Sequence, residues 1–347
     1  MLIGIDLGGT KTEIICLDSN SGDELYRRRI ASPRDDYQAT IDNICALVRE
    51  TEAEVKRKAL AIGIGIPGTI SLDTGCIKNA NSTWLNGNPL ARDLTAQLGL
   101  PVAVDNDANC FAVSEAVDGA AKGHDVVFGV IVGTGCGAGL SYHGRAHIGI
   151  NGLCGEWGHN PLPWPRVYNP DSAALQEEAA QKRSKILSSI YAHKSMPSLY
   201  VASPADNEYP GPACYCGKFG CLETWISGTG FENDYFLRSG ERLSGLEIIE
   251  RIESGTDAHA VRALDIYVDR LARGLAGVID ILDPDAIVLG GGMGNISALY
   301  DKLPALLEHY CFTDHLHVNI MAPLHGDSSG VRGAAWLGKS GLDNSEL

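Results

Sequence analysis

The stretch DLGGTKTE, residues 6–13, directly follows the short apolar run LIGI and decides how the rest of the chain is read. A strand that ends at Asp6 and turns through Gly8 and Gly9 exposes successive backbone N–H groups, with Thr10 and Thr12 adding hydroxyl donors on either side of Lys11. Such a turn can cradle phosphate oxygens. Asp6 stands where a carboxylate could hold Mg2+ through water, because Mg2+ keeps several waters and takes one or two carboxylates beside substrate phosphates. The plain alternative is a tight hairpin whose glycines only permit positive φ.

Working outward, apolar runs end again and again in glycine-rich turns: LAIGIGIPG, PVAV before DNDANC, VVFGVIVGTGCGAG and AIVLGGG. These read as strands, while DYQATIDNICALVRE and HAVRALDIYVDRLARGLAGVIDIL place apolar residues at helical spacing. The class is α/β. The strand-then-glycine pattern near residue 1 returns near residue 126, which suggests two related halves. The second turn, VIVGTGCGAGL from Val130 to Leu140, brings Gly133, Thr134, Gly135 and Gly137, so two loops could grip a triphosphate from opposite sides.

Composition sets the outer limits. A chain of 347 residues, 44% hydrophobic with 41 glycines, can bury a substantial core and is expected to form two domains. A formal charge of −15 disfavours non-specific nucleic-acid binding. The start MLIGIDLGG lacks a basic segment followed by a long apolar one, and no apolar run is long enough to cross a bilayer, so a cytoplasmic location is expected. In that setting the ten cysteines read as buried thiols or metal ligands. Two nucleotide-motif matches are discounted. Gly63, Gly65 and Gly68 satisfy GxGxxG, but Pro67 and TISLDTG lead into loop; GAAWLGKS from Gly333 to Ser340 looks like helix where a phosphate loop is required.

Two clusters carry chemistry. Cys214, Cys216 and Cys221 form C-x-C-x4-C and GEWGH ends in His159, a set that would make a closed, structural Zn2+ site; buried thiols are the alternative. DNDANC offers Asp105 and Asp107, two positions apart after a strand, and geometry alone does not choose between them as a base. An Asx turn capping a helix that starts near Asn109 is the preferred reading of Asp105.

With both glycine loops in view, the chain resembles the sugar kinases of the ROK family (repressors, open reading frames, kinases), within the hexokinase and actin superfamily. That resemblance implies a two-domain actin-like, hexokinase-like ATPase fold with ribonuclease H-like halves, ATP and Mg2+ on the two loops, and an adenosine segment at AIVLGGGMGN with Gly291 and Gly292 as contacts. It implies structural Zn2+ on His159, Cys214, Cys216 and Cys221, with His159 also facing the sugar. Asp107 becomes the general base, and Asn106, Glu156 and Glu223 become ligands of a hexose, with Gly68 and Asn81 as further contacts. Family habit implies a homodimer.

The expected boundaries are 1–118, 119–333 with an insertion at about 163–213, and a segment 334–347 returning to the first domain. The insertion exceeds what the resemblance implies; within it Leu175, Ala179, Ile186 and Ile190 share one helical face, capped by Asp171 or Ser172. Covering the cleft, packing on a partner subunit, or neither are its readings. Among family members the run of motifs looks most like manno(fructo)kinases, so the expected substrate is D-fructose, with mannose or glucose as secondary substrates and N-acetylglucosamine as the close alternative. A repressor would need a DNA-binding domain ahead of Asp6. A catalytically inactive sugar-binding module is the alternative from another class, and ATP turnover separates it from a kinase.

Overall fold

The computed structural model describes residues 1–186 and 199–343. Five strands, β1 (Leu2–Leu7), β2 (Lys11–Leu17), β3 (Glu24–Ala31), β4 (Ala61–Ile66) and β5 (Val102–Asn106), make one sheet in the order β3-β2-β1-β4-β5. Five more, β6 (Val126–Val132), β7 (Cys136–Tyr142), β8 (Arg145–Ala146), β9 (Ala286–Gly290) and β10 (Asn319–Met321), make a second sheet in the order β8-β7-β6-β9-β10. The two sheets have one topology. In each, the first three strands form an antiparallel meander and the last two add in parallel beside the first. The duplication suggested by the recurring strand-and-glycine pattern is therefore a property of the fold.

In chain order the helices are α1 (Tyr37–Val55), α2 (Leu90–Leu98), α3 (Asp107–Val117), α4 (Ser172–Ile186), α5 (Glu223–Ile226), α6 (Gly228–Ser239), α7 (Gly245–Glu253), α8 (Ala258–Leu282), α9 (Ser297–Tyr310) and α10 (Ser329–Asp343). Both expected amphipathic helices form. Asp36 caps α1 by accepting the Ala39 N–H at 2.9 Å, and Ile41, Ile44 and Val48 face Ile3, Ile5 and Ile62 of the first sheet. Asp257 caps α8, which sets Leu264, Leu271 and Leu275 against Phe128, Val130 and Val132 of the second sheet and ends at Asp283, before Pro284.

Helices α3 and α10, each following the last strand of a sheet, are exchanged between the halves. A Cβ on Gly129 of β6 would meet the Ala112 Cα at 2.9 Å, and one on Gly139 of β7 would meet the Ala108 carbonyl at 2.3 Å, so α3 lies directly on the second sheet. A Cβ on Gly63 of β4 would meet the Ala334 carbonyl at 1.7 Å, which seats α10 on the first sheet. Side chains at these glycines would push the helices off. Both discounted motifs resolve accordingly: Gly63 and Gly65 lie inside β4, which leads into a short hairpin pairing Thr69–Ile70 with Ile77–Lys78, and GAAWLGKS is the interior of α10.

Within the insertion, α4 begins at Ser172 as expected and Val167–Tyr168 pairs with Tyr200–Val201. Ile190 and the facing of Ala179 and Ile186 lie outside the described residues. Among the described residues, no helix is long and apolar enough to cross a membrane.

Candidate active site

The parallel strands deliver their carboxyl ends to a cleft between the halves, the place where open α/β sheets bind ligands. Register aligns Asp6 with Gly65, and Gly65 with Asp105, so the tips of β1, β4 and β5 form one row. Across the cleft, Gly290 at the end of β9 aligns with Ile131 of β6, just before the Gly133–Gly137 loop. A cavity of 310 Å3 opens there, lined among others by Asn106, Asp107, Gly133, Thr134, Gly135, Gly137, Glu156, His159 and Glu223. Residues from three distant segments of the sequence thus meet in one site.

The first loop keeps its shape by a Gly8 N–H bond to the Lys11 carbonyl at 3.0 Å, with Thr10 and Lys11 exposed. Neither Gly8 nor Gly9 has positive φ, so the plain hairpin explanation for the glycines does not hold; a Cβ on Gly9 would approach the Ser82 hydroxyl at 3.1 Å. Thr12 departs from expectation. It is buried and its hydroxyl pairs with Ser32 at 2.8 Å, while Ser32 also donates to the Gly8 carbonyl at 2.7 Å. Its strand position points it inward, so Thr12 braces the loop from behind and its hydroxyl is not a free donor. Asp6 is half-buried opposite Glu13 on β2. Burial, then the negative charges of Asp107 and Glu13, push its carboxyl up to about 6, with Arg29 opposing.

Helix α3 begins at Asp107, two residues earlier than expected, and its cap is Asn106, not Asp105. The Asn106 Oδ1 accepts the N–H groups of Ala108 at 2.8 Å and Asn109 at 3.1 Å, leaving its amide NH2 as a donor to the cleft. Asp105 is buried instead, accepting its neighbour's N–H at 2.7 Å and the Asn109 side chain at 2.9 Å. Asp107 is exposed to the 310 Å3 cavity that it lines. The surrounding protein desolvates it and raises its carboxyl above the usual range; the Ala108 N–H, at 2.8 Å, opposes this and the charge of Glu156 adds to it. Of the two carboxylates, Asp107 is the one facing the cleft.

Close backbone contacts fix the opposite wall. Cβ atoms on Gly155 and Gly158 would meet the carbonyls of Ala138 and Cys136 at 2.0 and 2.2 Å, so the GEWGH segment lies flat on β7 and presents Glu156 and His159. Glu223, at the start of α5, accepts the Cys136 N–H with Oε2 at 3.1 Å and braces the second loop. That loop is also held by the Gly228 N–H, which donates to the Gly133 carbonyl at 2.7 Å.

His159, Cys214, Cys216 and Cys221 converge, with their ligand atoms all within 4.8 Å of one another. The Cys216 and Cys221 sulfurs are 3.6 Å apart, too far for a disulfide and close to the edge of about 3.8 Å that a tetrahedron of 2.3 Å Zn–S bonds would have. His159 turns Nδ1 to the Cys214 sulfur at 3.6 Å. The donor set fits a closed zinc site.

A second cavity, of 890 Å3, begins at the same Gly133 and Thr134 and runs between α6, α7 and the short 3-10 turn Gly292–Asn295, with Ile249, Leu264 and Met293 as apolar walls. Gly292 lines it; Gly291 does not, serving instead as a φ +77° turn packed on the Val132 backbone. A third, of 810 Å3, holds Asn81 beside Tyr215 and Glu223. Gly68, whose Cβ would strike Ala80 at 2.9 Å, shapes the approach to that strand end without lining any of the three. Sequence reasoning missed Thr69, Cys154 and Tyr215 in the first cavity and Gly228, Gly245 and Ile249 in the second. The S-x-x-E capping box at Ser244–Glu247, which starts α7, was the readable signal for the last group.

The chain is 34% identical over 337 residues to the N-acetyl-D-glucosamine kinase of Photobacterium profundum, covering 97% of this chain and 99% of that one. Its fold matches the ROK hexokinase of Thermus thermophilus with a TM-score of 0.78 at 25% identity, covering 99% of both chains. It also matches a ROK family glucokinase from Streptomyces griseus in complex with glucose and AMPPNP, with a TM-score of 0.68 at 25% identity and coverage of 98% and 99%. The hexokinase-like, two-sheet architecture is thus the expected one. The ROK family model spans residues 2–340, and the chain belongs to the ROK family.

Proposed function

We propose that the chain transfers the γ-phosphoryl group of ATP to the 6-hydroxyl of N-acetyl-D-glucosamine. The observation that carries the kinase reading is the pair of cavities meeting at Gly133 and Thr134: one long and apolar-walled, suited to adenosine, the other ending on Asp107. A phosphate chain laid along the junction would point at the base. The amino sugar replaces fructose, which the curated relatives do not support; they carry the N-acetyl-D-glucosamine kinase name.

In this mechanism the sugar sits against Asn106, Glu156, His159 and Glu223, whose carboxylates and amide suit a polyhydroxyl ligand. Asp107 accepts the proton of the attacking hydroxyl as its oxygen bonds to the γ-phosphorus and the bridging bond to ADP breaks. A carboxyl raised by desolvation is a stronger base than an exposed one. Asp6 is the residue to hold Mg2+ through water, where the cation would offset phosphate charge; its crowding by Asp107 and Glu13 suits a divalent cation. Zinc on His159 and the three cysteines would fix the imidazole and the CYCGKFGC loop.

A coupled ADP-release assay with Mg-ATP against N-acetylglucosamine, N-acetylmannosamine, glucose, mannose and fructose tests the reading. The expected result is the highest kcat/KM for N-acetylglucosamine. Preference for an unsubstituted hexose would overturn the substrate, and no sugar-dependent ADP with any of them would overturn the kinase.

A further inference from the structure

The His159 imidazole has two nitrogens and one task on each. Nδ1 faces the Cys214 sulfur at 3.6 Å, and Nε2 faces the Tyr215 hydroxyl at 3.0 Å, with the two rings edge to face at 5.1 Å between centroids. A phenol hydroxyl donates or accepts, so it satisfies Nε2 in either tautomer. Tyr215 therefore occupies the hydrogen-bond position on His159 that a sugar hydroxyl needs under the proposed function.

Tyr215 is also free to leave. Its flanking residues are the cysteines of the cluster, and the backbone around it is pinned by the Cys214 N–H to Lys218 carbonyl bond at 2.8 Å and the Gly217 N–H to Cys214 carbonyl bond at 3.0 Å. The residue is 83% exposed, so leaving gives up the hydrogen bond and the edge-to-face contact with the His159 ring and little buried surface. It lines both the 310 Å3 cavity and the 810 Å3 cavity. A χ rotation toward the larger one clears His159 without moving the cysteines.

We infer that Tyr215 is a substrate-displaced latch on His159: its hydroxyl holds Nε2 while the sugar site is empty and swings into the neighbouring cavity when a sugar hydroxyl takes its place. The inference rests on the sugar-kinase reading above. It makes Tyr215 a competitor of the substrate, so its hydroxyl weakens sugar binding, the opposite of what a direct sugar ligand does.

The test is Tyr215→Phe, which keeps the ring and removes the hydroxyl. Against the best sugar of the wild-type panel, the variant is expected to lower KM, and the sugar Kd measured calorimetrically without nucleotide, by about 2- to 10-fold, the worth of one net hydrogen bond. KM for ATP should not change. In sugar-free protein the 15N resonance of His159 Nε2 should shift on substitution, and in sugar-saturated protein it should not. An unchanged or raised sugar KM and Kd would overturn the latch, a rise marking Tyr215 as a sugar ligand. Wild-type protein that turns over no sugar would instead overturn the kinase reading, a result the variant is not needed to see.

Discussion

Asp6 is a residue placed where folding would not put a carboxylate. It stands opposite Glu13 across two strands and within reach of the charge of Asp107, an arrangement of like charges that costs stability. Glu13 is neutralised by Arg27 and Arg29, but Asp6 has only the more distant help of Arg29. The sign follows from its carboxyl titrating at about 6 in the folded protein against an ordinary 3.8. The folded state binds this proton more tightly, so the ionised form is penalised above about 6 and the penalty fades as pH falls toward 3.8. Asp6→Asn should therefore stabilise the fold at pH 8 by up to about 3 kcal/mol, at 1.36 kcal/mol per pH unit, read as a higher Tm, with the gain shrinking by pH 4. The same variant should lose most Mg-ATP-dependent turnover; a Tm that falls at pH 8 would refute the strain argument. Asp107→Asn should cut kcat by about 10^2- to 10^4-fold while sugar binding by calorimetry persists, and near-normal turnover would remove Asp107 from the role of base.

At the scale of elements, the described part of the insertion is tied inward: among the described residues, none between 163 and 213 lines the central cavity. Glu208, fully buried, accepts Arg270 at 2.9 Å and Arg273 at 2.8 Å from α8, and its other oxygen takes the Arg166 N–H at 2.9 Å. Burial opposes its charge, but the two guanidiniums outweigh that and hold Glu208 at about 2. Arg270 continues to Asp234 of α6 at 2.8 Å and stacks on Trp225, two residues beyond Glu223. The segment that carries Cys214 is thus anchored six residues upstream to the helices behind the site. Glu208→Ala would take away the carboxylate that two buried guanidiniums share, leaving Arg270 to Asp234 and Arg273 to Asp269, and should cost about 3–5 kcal/mol, read as a lower Tm; in zinc-loaded protein it should also speed loss of the metal to a chelator. Unchanged zinc release in a folded variant would separate the anchor from the cluster. None of this was legible in the sequence. LDIYVDRLARG reads as a helix with a solvated charged stripe, and only a partner some 60 residues away turns Arg270 and Arg273 into core. By contrast, the glycine loops and the C-x-C-x4-C cluster were readable because each is local, its geometry written within a dozen residues.

The whole molecule is two copies of one sheet joined by exchanged helices, and this exchange was equally beyond local reading. Sequence shows that α3 follows β5 and α10 follows β10; the return of segment 334–347 to the first domain was expected through the family resemblance, and the packing of α3 on the second sheet was not expected at all. The crossing is tight. A Cβ on Gly333 of α10 would lie 1.6 Å from the Cys110 carbonyl of α3, while the carboxylate of Glu115, fully buried, ties α3 to the start of α10 through Ser329 Oγ at 2.6 Å and the Leu324 N–H at 3.1 Å. Because each helix is locked to its sheet by glycine contacts, the halves can approach one another over bound ligands only by movement of α3 against α10. Two substitutions in one helix separate packing at this crossing from helix propensity. Gly330→Ala, where a Cβ meets nothing within 4 Å, should be neutral or raise stability by about 0.5–1 kcal/mol. Gly333→Ala adds the same methyl against backbone that cannot yield without parting the helices, and should lower stability by about 1–3 kcal/mol or more. It should also lower kcat, because parting α3 from α10 moves Asp107, the first residue of α3, relative to the second glycine loop. Equal Tm values for the two variants would mean that the crossing is loose and that closure is governed elsewhere.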